Sequence, residues 1–404
     1  MHPELRPLEP ERFGELVAAI DAAFGDAPRP ELVERWREVV ELDRAVAAAD
    51  GGRIVGGATV ASMRVSAPGG DLPMAGITAL GVAPTHRRRG LGTAIVRRCL
   101  EGARERGEPV AGLWASESRI YGRHGFGIAT RSCSFELETA HAGFARPVDE
   151  AGEVVLLPEP EAFAAMGPIY EALRPAQPGM PSRPEAVWPV RFHEDEAPGD
   201  PPLFYAVHEG SSGRDAYAAY RVRPDWSGGI ARHTVDVEEL LATTPGGWAA
   251  MWRFVLDLDL AAVVRGRGRP PDDPLWSLLA DPRRMRMGVS DGMWLRAVDV
   301  PAALAGRRYG AEDALVLEVR DPTCRWNDGR FLLEGGPEGA TCRPTDRDPE
   351  LALEVAHLGG ALLGDASFAA LLRAGAIGEE RPGAAARADR MFRHAPAPWC
   401  PGEF

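Results

Sequence analysis

The sequence predicts a mixed α+β protein of three domains, spanning residues 1–145, 146–288 and 289–404. At 404 residues the chain is too long for one ordinary core, so two or three domains are expected. Its first 140 or so residues read as helix, helix, hairpin, strand, glycine-rich turn, helix, strand and helix. A weaker version of that order follows, and the pattern changes again near Ser290.

Phe13, Val17, Ile20 and Phe24 recur at helical spacing, and Leu32, Trp36, Val39 and Val40 suggest a second helix. Gly25-Asp26-Ala27-Pro28 breaks the chain between them. Arg44 to Ala49 and Ile54 to Met63 flank Asp50-Gly51-Gly52 as a hairpin. Ile77 to Val82 is the next strand, and Leu91, Ile95, Cys99 and Ala103 share one face of a helix ending near Gly107. Pro109 to Trp114 is a buried strand, and Ser116-Glu117-Ser118 opens a helix before Tyr121.

The turn between that strand and helix, His86-Arg87-Arg88-Arg89-Gly90-Leu91-Gly92-Thr93, carries the clearest chemistry. Two glycines allow the backbone to approach a ligand, and the unpaired amides opening the next helix point at an anion. Arginines 87, 88 and 89 add positive charge at the same place, which fits a pyrophosphate.

In the second region Leu203 to His208 and Ala216 to Val222 flank Gly210-Ser211-Ser212-Gly213 as another hairpin. Trp248, Met251, Trp252 and Val255 then form a helix face. Ala242-Thr243-Thr244-Pro245-Gly246-Gly247 stands where the cradle would be, without its arginines, so this copy is expected to be degenerate. Arg174 to Pro202 is expected to be a long loop. After Ser290, Trp294, Ala297 and Val298 lead to a helix start at Pro301 to Leu304. Strands at Leu315 to Val319, Phe331 to Leu333 and Leu351 to Val355, and a helix with Phe368, Leu371 and Leu372, complete a smaller α+β domain.

Composition narrows the function. The 46 basic residues, all arginine, are outnumbered by 59 acidic ones, giving a net charge of −13. That balance disfavours nucleic acid and suits cationic substrates. No apolar run approaches the ~20 residues of a membrane span, and the N-terminus lacks a signal-peptide core, so a soluble cytoplasmic protein is expected. Cys99, Cys133, Cys324, Cys342 and Cys400 lack metal-ligand spacing, so no metal is expected and the thiols should be reduced.

The RxxGxG pattern after a strand resembles the acetyl-coenzyme A signature of the GNAT acetyltransferase superfamily. Three segments together are similar to one family within it, the enhanced intracellular survival (Eis) acetyltransferases. They are APTHRRRGLG at 83–92, SRIYGRHGFG at 118–127 and the terminal WCPGEF. The resemblance implies an active GNAT domain, a degenerate copy and a sterol-carrier-like C-terminal domain. It further implies a homohexamer that acetylates amines with acetyl-CoA, aminoglycosides and polyamines being candidates and protein lysines a further one.

Residue roles follow from that resemblance. The backbone of Leu80, Gly81 and Val82 would pair with the pantetheine arm, and Arg88, Arg89, Gly90, Leu91, Gly92 and Thr93 would hold the pyrophosphate. Ser116 and Glu117 would add cofactor contacts, while Asp26, Trp36 and Glu403 align with positions lining an amine pocket. Trp36 fits the core face of its helix equally well. Ala79 is small where some relatives carry a bulky aromatic, so substrate range does not transfer directly.

Acetyl transfer also needs an acid and a base. Tyr121 is the expected acid, a phenol near pKa ~10 facing a thiolate near ~8.5; His124 reads as structural. The expected base is the terminal carboxylate of Phe404. An alkylammonium near pKa ~10.4 holds its proton at pH 7 by about 4.6 kcal/mol. A carboxylate near ~3.5 therefore needs desolvation, a relaying water or a pocket that binds the neutral amine. The reading from a different class is a lipid-binding or scaffold protein acting through the final domain. Failure to bind acetyl-CoA or release coenzyme A thiol would favour it.

Overall fold

The computed structural model describes residues 4–27, 29–148, 152–193 and 199–404. Pro28 of the expected break and residues 194–198 of the expected 174–202 loop lie outside the described residues.

The first sheet begins with β1 (Glu4–Pro7), β2 (Val46–Asp50), β3 (Arg53–Ala67) and β4 (Gly70–Val82), each antiparallel to the one before. Strand β5 (Val110–Trp114) runs parallel to β4, joined to it through α3 (Leu91–Glu105), after α1 (Phe13–Phe24) and α2 (Pro30–Val39) earlier in the chain. Side chains alternate across a strand, which divides the core in two. Ala45 and Ala47 meet Phe13, Leu16 and Ile20 of α1, whereas Val46 and Ala48 meet Leu91, Ile95 and Cys99 of α3. Strand β4 starts seven residues before the expected Ile77. Pro73 and the flanking glycines hide its β pattern, but Arg64 of β3 pairs with Pro73 all the same.

After α4 (Ser118–Gly122) and β6 (Gly127–Ile128) the chain leaves this sheet. The next strand, β7 (Arg131–Glu138), belongs to a second sheet with β8 (Gly152–Leu157), β9 (Leu203–Gly210), β10 (Gly213–Arg223), β11 (His233–Ala242), β12 (Ala261–Arg269) and β13 (Arg286–Asp291). Then β14 (Met293–Ala297) returns and inserts between β5 and β6. The two crossings are tied together where the Thr130 hydroxyl accepts from the Met293 amide at 2.7 Å and the Thr130 carbonyl from Gly292 at 3.0 Å. Sheet membership thus cuts across the 288/289 division: Met293–Ala297 is a strand of the first sheet.

Helices α5 (Glu159–Leu173), α6 (Val187–His193) and α7 (Pro245–Leu256) cover the second sheet. Helix α6 lies within the stretch read as a loop; its Trp188 and Phe192 are buried among Tyr170, Tyr205 and Tyr217. The third sheet has the order β17-β16-β15-β18-β19 from β15 (Asp313–Arg320), β16 (Gly329–Gly336), β17 (Gly339–Pro344), β18 (Leu351–Glu354) and β19 (Gly378–Glu379). Its Leu315 and Leu317 share one core with Leu72 and Met74 of β4 and Leu295 of β14. No helix among the described residues is long and apolar enough to cross a membrane.

Candidate active site

Strands β4 and β5 pair only from Met74 to Gly76 with Val110 to Gly112, and both continue beyond the last pair. Ala79 sits at φ +47°, at the register shift between β3 and β4. The kink turns the end of β4 away and opens a V between the strands. Leu80 lines the opening, and Gly81 and Val82, outside the cavity lining, carry β4 on past its last pair with β5, a shape that accepts an extended chain as another strand.

At the end of β4 the chain reaches the cradle. Arg88 (φ +62°) and Gly90 (φ +82°) are left-handed, which curls the backbone amides toward one point. No side chain caps α3, so its first-turn amides are free for an anion. A Cβ at Gly90 or Gly92 would meet nothing within 4 Å, so a ligand has room to reach the backbone. The three arginines differ. Arg87 donates to the Ala23 carbonyl and braces α1, Arg89 donates to the Thr85 carbonyl at 3.3 Å, and Arg88 has no partner among the described residues. This arrangement fits a pyrophosphate.

The V opens into a cavity of about 630 Å³. Leu80, Ser116, Tyr121, Glu403 and Phe404 line it together, although the last stands 324 positions after the first. Burial raises the Tyr121 phenol above 10, a side-chain hydrogen bond with Ser116 draws it back, and Glu117 pushes it up again. Burial, with Arg123 and Arg296 nearby, lowers His124 to about 4, and its carbonyl accepts from the buried Arg296. His124 is therefore neutral at pH 7 and tied into the core. The Phe404 ring lies against Gly76 and the shared core, where a Cβ on Gly76 would be 3.2 Å from it.

Other expected residues lie elsewhere. The cradle and Glu117 are outside the cavity lining, as are Asp26 and Trp36, while Phe24 at the end of α1 is part of it. Trp36 packs on the Phe13 and Leu16 cluster. Asp26 follows the left-handed Gly25, its amide bonded to the Asp21 carbonyl at 2.9 Å. Strands of the second sheet supply a wall through Ser132, Glu238, Arg267 and Asp291, which no pattern in the sequence announces. Burial raises Glu238, offset by Arg221 and Arg191. Ser132 and Asp291 sit near strand ends and Glu238 and Arg267 within β11 and β12, in patterns that mark no site.

The second copy repeats the scaffold with its ligand positions filled. Thr244 caps α7 by accepting from the Gly247 amide at 2.9 Å, and Asp215 stands at the same helix end, bonded to Thr244 and, at 2.6 Å, to His208. A carboxylate of the chain thus occupies the anion position.

A strand-helix anion cradle beside a splayed parallel pair defines the class: this is a GNAT-fold N-acetyltransferase. Matches to the Acetyltransferase (GNAT) domain cover residues 4–129 and again 179–297, and a Sterol carrier protein domain covers 300–401. An N-acetyltransferase of Streptomyces avermitilis is 39% identical across 100% of both chains. N-acetyltransferase Eis of Mycobacterium tuberculosis is 37% identical over 359 residues, 85% of each chain. The crystal structure of Eis1 from Mycobacterium abscessus superposes with a TM-score of 0.88 at 33% identity, covering 99% of this chain and 100% of that one. The chain belongs to the Eis family of N-acetyltransferases.

Proposed function

We propose that this enzyme acetylates primary amines of polycationic small molecules, aminoglycosides and polyamines among them, with protein lysines as a further acceptor class. The observation that carries the reading is the single cavity in which Tyr121 and the last residue of the chain meet. Glu238, Asp291 and Glu403 line the same cavity and suit a cation with several amino groups. Acetyl-CoA supplies the acetyl group as a thioester. Leu80 to Val82 would hold its extended arm, Arg88 to Thr93 its pyrophosphate, and Ser116 and Glu117 would add contacts near the acyl end.

Tyr121 holds a proton at its phenol oxygen and gives it to the leaving thiolate. Burial holds the proton on the phenol and by itself makes it a weaker acid; the hydrogen bond with Ser116, which draws the pKa back down, supports the donor role. The terminal carboxylate of Phe404 takes the proton of the amine. The Phe404 ring, packed against Gly76 and the core, supports that assignment by anchoring the end of the chain in the cavity. Glu403 would hold the substrate from the cavity wall; Asp26 and Trp36 enter through the family resemblance alone.

The test is a turnover screen over aminoglycosides, polyamines, arylalkylamines and lysine peptides, read as coenzyme A thiol release. One residue appended after Phe404 should lower turnover at least tenfold with acetyl-CoA affinity near that of the unmodified protein. Full activity of the extended chain would remove the terminal carboxylate from the mechanism. A cytoplasmic homohexamer is the expected assembly. Exposed Trp226 and Leu260, which both meet His233, and exposed Ile230 three residues before it support self-association, and light scattering measures it.

A further inference from the structure

The second GNAT copy has a V of its own. Strands β11 and β12 pair in parallel from His233 to Val237 with Ala261 to Gly266, then both run on unpaired with one another. In the first copy the equivalent gap opens into the cavity; here the protein closes it. The buried Arg269 of β12 reaches across to the Leu240 carbonyl of β11 at 2.9 Å, with Asp273 holding its other side at 2.8 Å. Beside it stands Trp399, five positions before Phe404 and 2% exposed. Its indole N–H donates to the Gly268 carbonyl at 2.7 Å, and its ring packs in the cluster containing Leu241, Trp188 and Tyr170.

The residues on either side of Trp399 are pinned to the same domain. Its amide donates to the Pro178 carbonyl at 2.9 Å, Gln177 Nε2 donates to the Ala397 carbonyl at 2.8 Å, and the Ala397 amide donates to Asp272 at 2.9 Å. Beyond it, Arg191 of α6 donates to the Pro401 carbonyl at 3.1 Å and lies flat against Gly402, where a Cβ would be 2.1 Å from its Nε. Four residues separate this anchor from Phe404 in the first domain's cavity. Chain ends fray unless tied down, and this one is tied within ~15 Å of contour of its last atom.

We infer that the degenerate domain works as a holder for the C-terminus, with Trp399 as the positioning residue. The indole fills the β11–β12 gap, where the active copy opens its V, and so fixes where the terminal carboxylate stands. The inference rests on the proposed base role of Phe404 for its effect on turnover, but not for its effect on the tail. This accounts for a copy that keeps the GNAT scaffold while Asp215 and Trp399 fill both of its ligand positions.

Carboxypeptidase digestion of the full-length protein reads the tail without reference to activity. Trp399→Ala should release Phe404 at least tenfold faster than the unsubstituted chain, and Trp399→Phe, which keeps the ring but loses the N–H donor, should fall between. The kcat of Trp399→Ala should drop at least tenfold with the acetyl-CoA KM within twofold. Should Trp399→Ala fold poorly by circular dichroism, the double variant Gln177→Ala/Asp272→Ala removes two pins, one buried and one exposed, while leaving the indole in place, and should show the same direction in both readings. A tail as resistant as the original in these variants overturns the holder. A labile tail with unchanged kcat upholds the holder and overturns the terminal carboxylate as base.

Discussion

Tyr121 and His124 stand three residues apart, and burial acts on them in opposite senses. A buried phenol is kept neutral by a raised pKa, and a buried imidazole by a lowered one. Tyr121 can therefore donate a proton throughout the neutral range, and its own ionisation should limit activity only above pH 10. Tyr121→Phe is expected to lower kcat at least tenfold while the acetyl-CoA KM stays within twofold, measured by steady-state thiol release. His124 makes a different contribution. Its folded pKa of about 4 lies below the usual imidazole value of 6.5, so the unfolded chain binds the extra proton first. Stability from this site is complete above pH 6.5 and is lost as pH falls toward 4, by up to ~3 kcal/mol. Urea midpoints measured across that window should fall steeply for the unsubstituted protein and more gently for His124→Gln. Both residues were legible in the sequence because their motif is local. Glu238 and Asp291 were not, since nothing within a few residues of either marks a site.

Helices α3 and α7 are the same element in the two copies, and their N-termini show what separates a site from a relic. Helix α3 opens uncapped behind a left-handed glycine, with Arg88 nearby unpaired among the described residues. Helix α7 opens on Thr244, with Asp215 bonded to Thr244 and His208. The missing arginines were readable from the sequence, but the replacement carboxylate was not, because Asp215 comes from a strand some thirty residues earlier. Asp215→Ala would strip partners from Thr244 Oγ1 and His208 Nδ1 and leave an imidazole that is already unpaired at Nε2. The expected loss is about 2 kcal/mol in chemical denaturation, with kcat and acetyl-CoA KM unchanged. Acetyl-CoA binding that moved with Asp215 would mean that the second copy still takes a ligand.

Across the whole molecule, much of the helix and strand order of the first region is readable, whereas α5 and α6 of the second and the exchange of β7 and β14 between sheets are not. Local periodicity gives a strand but not its neighbours, and both exchanged strands lie where the chain crosses from one sheet to the other. The exchange also places Arg296 of β14 at a junction. It is fully buried, donates to the His124 carbonyl in the first domain and to Asp321 in the third, and Asp321 also accepts from Cys324 and Asn327. Such a pair adds little over an apolar one, but removing one partner leaves a buried charge, at a cost of about 3–5 kcal/mol. Because Leu72, Leu295 and Leu317 belong to one core, that cost should be felt by the first and third domains together. Calorimetry of Asp321→Ala should show the transition that contains both domains move down as a unit. Separate peaks, only one of which shifts, would mean that the shared core does not couple them.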